Sequence, residues 1–132
     1  MISYPIRTGR SRIEGRGVFA AAAIPRRAKI GEVTGTLITR RLARRRARGQ
    51  QRVYLVDVSD SQAMDCSGGN QLRFLNHSCD PNAFLRIIYC RIEVYARRDI
   101  ATGEEITVDY GETPHDRGMT CVCGQPGCRS RI

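Results

Sequence analysis

Residues 73–82 read RFLNHSCDPN, that is Arg73, Phe74, Leu75, Asn76, His77, Ser78, Cys79, Asp80, Pro81 and Asn82. This polar cluster follows directly on the apolar Leu72, Phe74 and Leu75, and it holds one of only two histidines in the chain. Asn, Ser and Asp in a turn often do no more than satisfy nearby backbone groups. A Cys ahead of a rigid Asp-Pro turn, with Asn and His just before it, also has the makings of a fixed ligand set. Which reading applies depends on what the rest of the chain supplies.

At 132 residues, the sequence fits one domain large enough to bury a hydrophobic core without crosslinks. Apolar residues make up 41% and charged residues 27%, the proportions of a soluble globular protein. No apolar run approaches the roughly 18 residues a membrane helix requires, so an intracellular protein without a membrane partner is expected. Basic residues outnumber acidic ones by 22 to 13, and all but Lys29 are arginine. A genomic bias would produce that balance, and so would attraction to a polyanion such as nucleic acid. The run RRLARRRARGQQR (40–52) concentrates the charge, with Thr39 placed to cap a short helix whose apolar side is thin.

Elsewhere, strand patterns dominate. VYLVDV (53–58) reads as a buried strand, and FLRIIYCRIEVYARR (84–98) reads as a hairpin whose turn lacks glycine. TGEEITVDYG (102–111) reads as a turn and one more strand. The class is therefore mostly β with short helices. The last segment, TPHDRGMTCVCGQPGCRSRI, has almost nothing apolar to bury and must be held another way.

Cys121, Cys123 and Cys128 supply that other way, crowding three thiols into eight residues around glycine and proline. In an intracellular chain such spacing points to zinc rather than to disulfides. Structural zinc takes four ligands in a tetrahedron, so a fourth must come from the body. Cys66, Cys79, Cys90, His77 and His115 are the candidates. Cys90 sits among strand residues and His115 would anchor the tail to nothing. Cys79, before Asp-Pro, is the choice this favours. Metal binding would then supply folding free energy that the tail lacks.

GRGVFA (15–20), RFLNHSCDPN (73–82), GEEITVDYG (103–111) and CVCGQPGC (121–128) stand in the order of the SET-domain protein lysine methyltransferases, which the chain resembles from about Arg12 to Arg129. The resemblance implies a SET domain over residues 1–112 and a zinc-binding post-SET segment over 113–132, with no pre-SET cysteine cluster. It implies small twisted sheets with a threaded, knot-like C-terminal region. S-adenosylmethionine is the implied methyl donor. It would be bound by Gly15, Arg16, Gly17, Tyr54, Arg73, Asn76 and His77, with Val122 lying over it. The resemblance makes Tyr110 the catalytic tyrosine and gives zinc the ligands Cys79, Cys121, Cys123 and Cys128. It places Val33, Leu85 and Val108 along the substrate channel.

The implied activity is methyl transfer from S-adenosylmethionine to a lysine of a protein, with histones the family's commonest targets. The reaction requires a neutral amine held in line with the methyl carbon, whereas lysine ordinarily has a pKa of about 10.4. A dry channel beside a sulfonium favours the neutral form. Where relatives carry larger aromatic side chains this chain has Val33 and Val108, which points to a wider channel and higher methylation states. Glu104, Glu105, Asp109 and Glu112 are candidates to line the entrance for a basic peptide. Two rival readings remain: a zinc-stabilised, arginine-rich nucleic-acid-binding module, and a protein that binds the donor without turnover. A nuclear or chromatin location follows if the cell is eukaryotic, a cytoplasmic one otherwise.

Overall fold

Gly15, at φ 47, reverses the chain tightly enough to pair β1 (Ile6–Arg10) with β2 (Arg16–Ala20), Ile6 opposite Ala20 and Arg10 opposite Arg16. The structure, a computed structural model, describes residues 2–50, 53–111 and 120–132. Its architecture is three small sheets. The first has the order β1-β2-β10-β7, where β10 is Glu105–Val108 and β7 is Asn76–His77. The second is β3 (Lys29–Val33), β9 (Arg91–Ala96) and β8 (Ala83–Ile88). The third is β4 (Thr36–Thr39), β6 (Gln62–Asp65) and β5 (Leu55–Asp57), with the helix α1 (Arg40–Ala47) packed on it.

These elements follow from local chemistry. Thr39 caps α1 as expected, its hydroxyl accepting from the Leu42 N–H at 3.1 Å. Ala43 and Ala47 are the side chains that α1 buries. The 84–98 hairpin is present without glycine because Tyr89 and Cys90 both take positive φ, 48 and 59, as a two-residue turn of matching twist requires. The expected strand over 53–58 is shorter than its apolar run. Only Leu55–Asp57 pairs, and Leu55 and Val56 are half-buried rather than buried. The reason is position: β5 is an edge of its sheet, so one side has no neighbour to cover it.

The core gathers alternate residues of several strands, among them Val18, Ile30, Ile92, Val94 and Ile106, with Leu72 from the 3-10 turn Gln71–Phe74. Each of these is almost wholly removed from solvent. No helix among the described residues is long and apolar enough to cross a membrane.

β7 is only two residues long, yet it runs parallel to β10, with Asn76 beside Thr107 and His77 beside Val108. Asn82 fastens the following Asp-Pro turn to the same strand. Its buried side chain donates to the Glu105 carbonyl at 2.8 Å and accepts from the Thr107 N–H at 2.9 Å. The stretch 76–82 is thus bonded at both ends to β10, and the chain leaves β10 through Asp109 and Tyr110.

Candidate active site and metal centre

The Asn76 side chain holds the turn between β1 and β2. Its Nδ2 donates to the carbonyls of Glu14 and Arg16, each at 3.0 Å, and to Glu105 Oε2 at 2.9 Å. Ser11 Oγ lies 2.8 and 2.9 Å from the two oxygens of the same carboxylate and accepts from the Ile13 N–H. Glu105 therefore clamps the loop 11–16 from beneath. A Cβ on Gly17 would fall 2.9 Å from Glu105 Cδ, so glycine is what lets the carboxylate lie against the backbone.

His77 links this loop to the tail. Its Nδ1 accepts from the Tyr110 N–H at 2.9 Å, which leaves the ring proton on Nε2, 3.3 Å from Cys79 Sγ. With that tautomer, the 3.4 Å approach of Arg129 Nη2 to Nε2 is a packing contact between two donors. The Arg129 guanidinium bonds to Asp109 Oδ1 at 2.7 Å, and its backbone N–H points to Cys79 Sγ at 3.4 Å. The His77 and Tyr110 rings stand 5.2 Å apart. Tyr110 Oη donates to the Leu75 carbonyl at 2.6 Å. Burial, and then the Glu14 carboxylate, push the Tyr110 phenol above its ordinary pKa, so it is protonated at neutral pH. The ring edge remains exposed while the hydroxyl points inward.

Sγ atoms of Cys79, Cys121, Cys123 and Cys128 all lie within 4.8 Å of one another, and Cys79 is 3.8 Å from Cys121. Tetrahedral zinc, with bonds of about 2.3 Å, sets its sulfurs about 3.8 Å apart, so the four residues fit that ion. Backbone polarity supports the same use. Burial pushes the Cys123 thiol up, but N–H groups of Cys79 and Gln125 outweigh it and bring it down to about 6. The Arg129 N–H, with His77, lowers Cys79 as well. Burial raises Cys121 to about 12. The choice of Cys79 over Cys66 and Cys90 thus agrees with the geometry, while His115 and Glu112 lie outside the described residues.

Folding the cysteine segment back roofs a shallow cleft, open to solvent, lined by Glu14, Asn76, His77, Tyr110, Val122 and Ile132 among others. Antiparallel bridging of Thr120 to Arg131 and the Cys121 N–H to the Ser130 carbonyl, 2.7 Å, fix that roof. The cleft brings together five of the residues singled out in the sequence, Asn76, His77, Tyr110, Val122 and the metal-site Cys121. Gly15, Arg16 and Gly17 adjoin it through the loop that Asn76 holds. Tyr54 meets the Phe74 ring edge-on at 5.7 Å, and Arg73 lies over the same ring at 4.4 Å while bonding to the Gly69 carbonyl. Arg73 is thus engaged within the protein. Val33 and Val108 are buried in the core, and Leu85 is packed against it, all three away from the cleft lining. Glu104 bonds to Asn82 and Glu105 to Asn76, so neither carboxylate is free for an entrance, and Asp109 faces Arg129. Ser11 and Arg129 were not foreseen, and Glu105, expected at the entrance, instead clamps the loop with Ser11 and Asn76. Their partners lie 29 to 94 positions away along the chain, and no local spacing marks them.

The SET domain family matches residues 15–111. A histone-lysine N-methyltransferase, H3 lysine-4 specific, of Schizosaccharomyces pombe is 37% identical across 94% of this chain. The histone-lysine N-methyltransferase set1 of Dictyostelium discoideum is 35% identical across 96%. This chain spans only 15% and 9% of those relatives' own length. Among solved structures, ctPRC2 in an autoinhibited conformation bound to S-adenosylmethionine superposes with a TM-score of 0.76 at 32% identity, covering 83% of this chain and 15% of that one. With the SET-domain model matching 97 of the 132 residues and relatives more than 30% identical across most of the chain, the chain belongs to the SET-domain family.

Proposed function

We propose that the protein is an S-adenosylmethionine-dependent protein-lysine N-methyltransferase acting on a histone. The observation that carries this reading is the hydrogen-bonded line from Cys79 through His77 to Tyr110, which joins the metal centre to the cleft. The names of the relatives, histone-lysine N-methyltransferases, and the donor named with the ctPRC2 structure support it. A chromatin location in a eukaryotic cell accords with the same relatives.

S-adenosylmethionine, when bound, supplies an electrophilic methyl group on a sulfonium. The protein's part is binding, orientation and exclusion of water. Both Asn76 Nδ2 protons are engaged by the loop and Glu105, which leaves Oδ1 to accept from an ammonium at the donor's methionine end. Gly15 to Gly17 offer backbone at close range, and Tyr54 and Arg73 shape the wall through Phe74. Val122 covers the cleft. Cys79, Cys121, Cys123 and Cys128 would hold zinc, which would keep that cover in place.

Tyr110 does not act as a base, because its phenol is held protonated. By donating to Leu75, the hydroxyl directs its lone pairs away from that carbonyl, where they accept from the amine and hold it in line. Val33, Leu85 and Val108 lie behind the cleft lining rather than on it, and in this reading their modest size leaves room beside the lysine channel and favours more than one methylation. In this reading the body is assigned to residues 1–112 and the zinc segment to 113–132.

The test is transfer of labelled methyl groups to core histones, with Tyr110→Phe as the comparison. Loss of one oriented polar contact at the reacting atoms predicts a fall in kcat of about 100-fold or more. Equal labelling by the variant would remove Tyr110 from its role. Absence of donor binding in calorimetry would overturn the enzyme reading altogether.

A further inference from the structure

The function above leaves the arginine run unused, and the structure divides it into two faces. Arg40 and Arg44 turn to Asp57, at 3.0 and 3.9 Å, and Arg46 to Asp65. Those charges are neutralised within the protein. Arg41, Arg45 and Arg48 are exposed, and no carboxylate among the described residues pairs with them. Their spacing of four and then three residues puts them in one row along α1, opposite the buried Ala43 and Ala47. We propose that this row is a docking surface for the phosphate backbone of double-stranded DNA.

Arg41 and Arg45 on α1 and Arg48 at its C-cap span about 10 Å, and each strand of a duplex presents one phosphate per about 3.4 Å of its axis, so a row laid along that axis passes about three of them. Guanidinium groups bond phosphate oxygens in pairs, which suits arginine better than lysine here. Residues 40–48 contain no aromatic side chain, so the row lacks the aromatic platforms on which single-strand binders stack successive bases. The net charge of +9 adds long-range attraction without setting a location. The inference rests on the methyltransferase reading at one point: a histone substrate lies against duplex DNA.

Fluorescence anisotropy with a short labelled duplex tests the surface without any catalysis. Each neutralised phosphate contributes about −0.9 to the slope of log K against log salt. Changing Arg41, Arg45 and Arg48 together to Gln is therefore expected to make the slope shallower by about 2.7. That amounts to about 40-fold less salt sensitivity between 50 and 200 mM. The comparison variant changes Arg86, Arg91 and Arg98 to Gln, removing equal charge from arginines that already face Glu93, Glu32 and Glu104. It should retain most of the slope. Equal losses in both variants would mean diffuse net charge and would overturn the proposal. Tighter binding of a single-stranded RNA than of the duplex would overturn the choice of partner. In a second arm, the α1 variant should lose methylation of nucleosomes while keeping that of free histone peptide. If no histone is methylated by the unaltered protein, the enzyme reading fails, and the anisotropy still decides the surface.

Discussion

Glu93 shows how one residue's surroundings set a pH limit on the fold. It sits on β9 between Lys29 Nζ at 2.8 Å and Arg86 at 3.9 Å. The hydrogen bond from Lys29 holds its carboxyl below the ordinary 4.5, and Glu93 in turn raises the Lys29 ammonium. The carboxylate therefore contributes stability above its unfolded pKa, and that contribution is lost as pH falls through the lowered folded value. For Lys29 the sign is reversed: its contribution is full below 10.5 and is lost as pH rises through its raised value. Glu93→Gln is expected to flatten the acid limb of stability below about pH 4.5, read by urea unfolding at a series of pH values. An unchanged acid limb would mean the pair contributes nothing. At this scale the sequence was readable wherever neighbours in the chain act together, as at Asn76, His77 and Cys79. It was silent on Ser11 and put Glu105 at the entrance instead of beneath the loop, because their bond joins positions 94 apart.

At the scale of elements, strand and helix types followed from pattern, and their lengths from context. Thr39 marked the start of α1 because a cap is a local bond. VYLVDV overstated a strand, since an apolar run does not reveal whether its strand will be central or at an edge. The β8–β9 hairpin was legible from its two apolar arms, although its turn carries the wrong residues for its geometry. Tyr89 and Cys90 are both left-handed, and Tyr89 is 91% exposed with no packing to lose. Replacing the pair by Asn-Gly (Tyr89→Asn with Cys90→Gly) should relieve strain of about 1 kcal/mol per residue. Cys90 would give up a weak 3.5 Å contact with Gln62 and its partial packing against the core, a smaller loss than the strain relieved. The expected result is a higher urea midpoint with an unchanged m-value, and a lower midpoint would mean the turn is not strained.

For the whole molecule, the core and the cover are held by different physics. Val18, Ile30, Leu72, Ile92 and Ile106 are enclosed by strands far apart in sequence and need no metal. Residues 120–132 bury little and depend on four thiols that converge on one point. That division was legible in the sequence as an apolar-poor tail rich in cysteine. The pairing of β7 beside β10 was not, since two residues carry no periodicity. Removing the metal should therefore open the cleft while leaving the body folded. The direct measurement is calorimetric titration of S-adenosylmethionine into the zinc-loaded and the chelator-stripped protein, each checked for retained β-sheet by circular dichroism. The account predicts that stripping weakens binding by at least about 10-fold, a coupling of about 1.4 kcal/mol, while the sheet signal persists. Equal affinity in a demonstrably zinc-free, fully folded protein would contradict it.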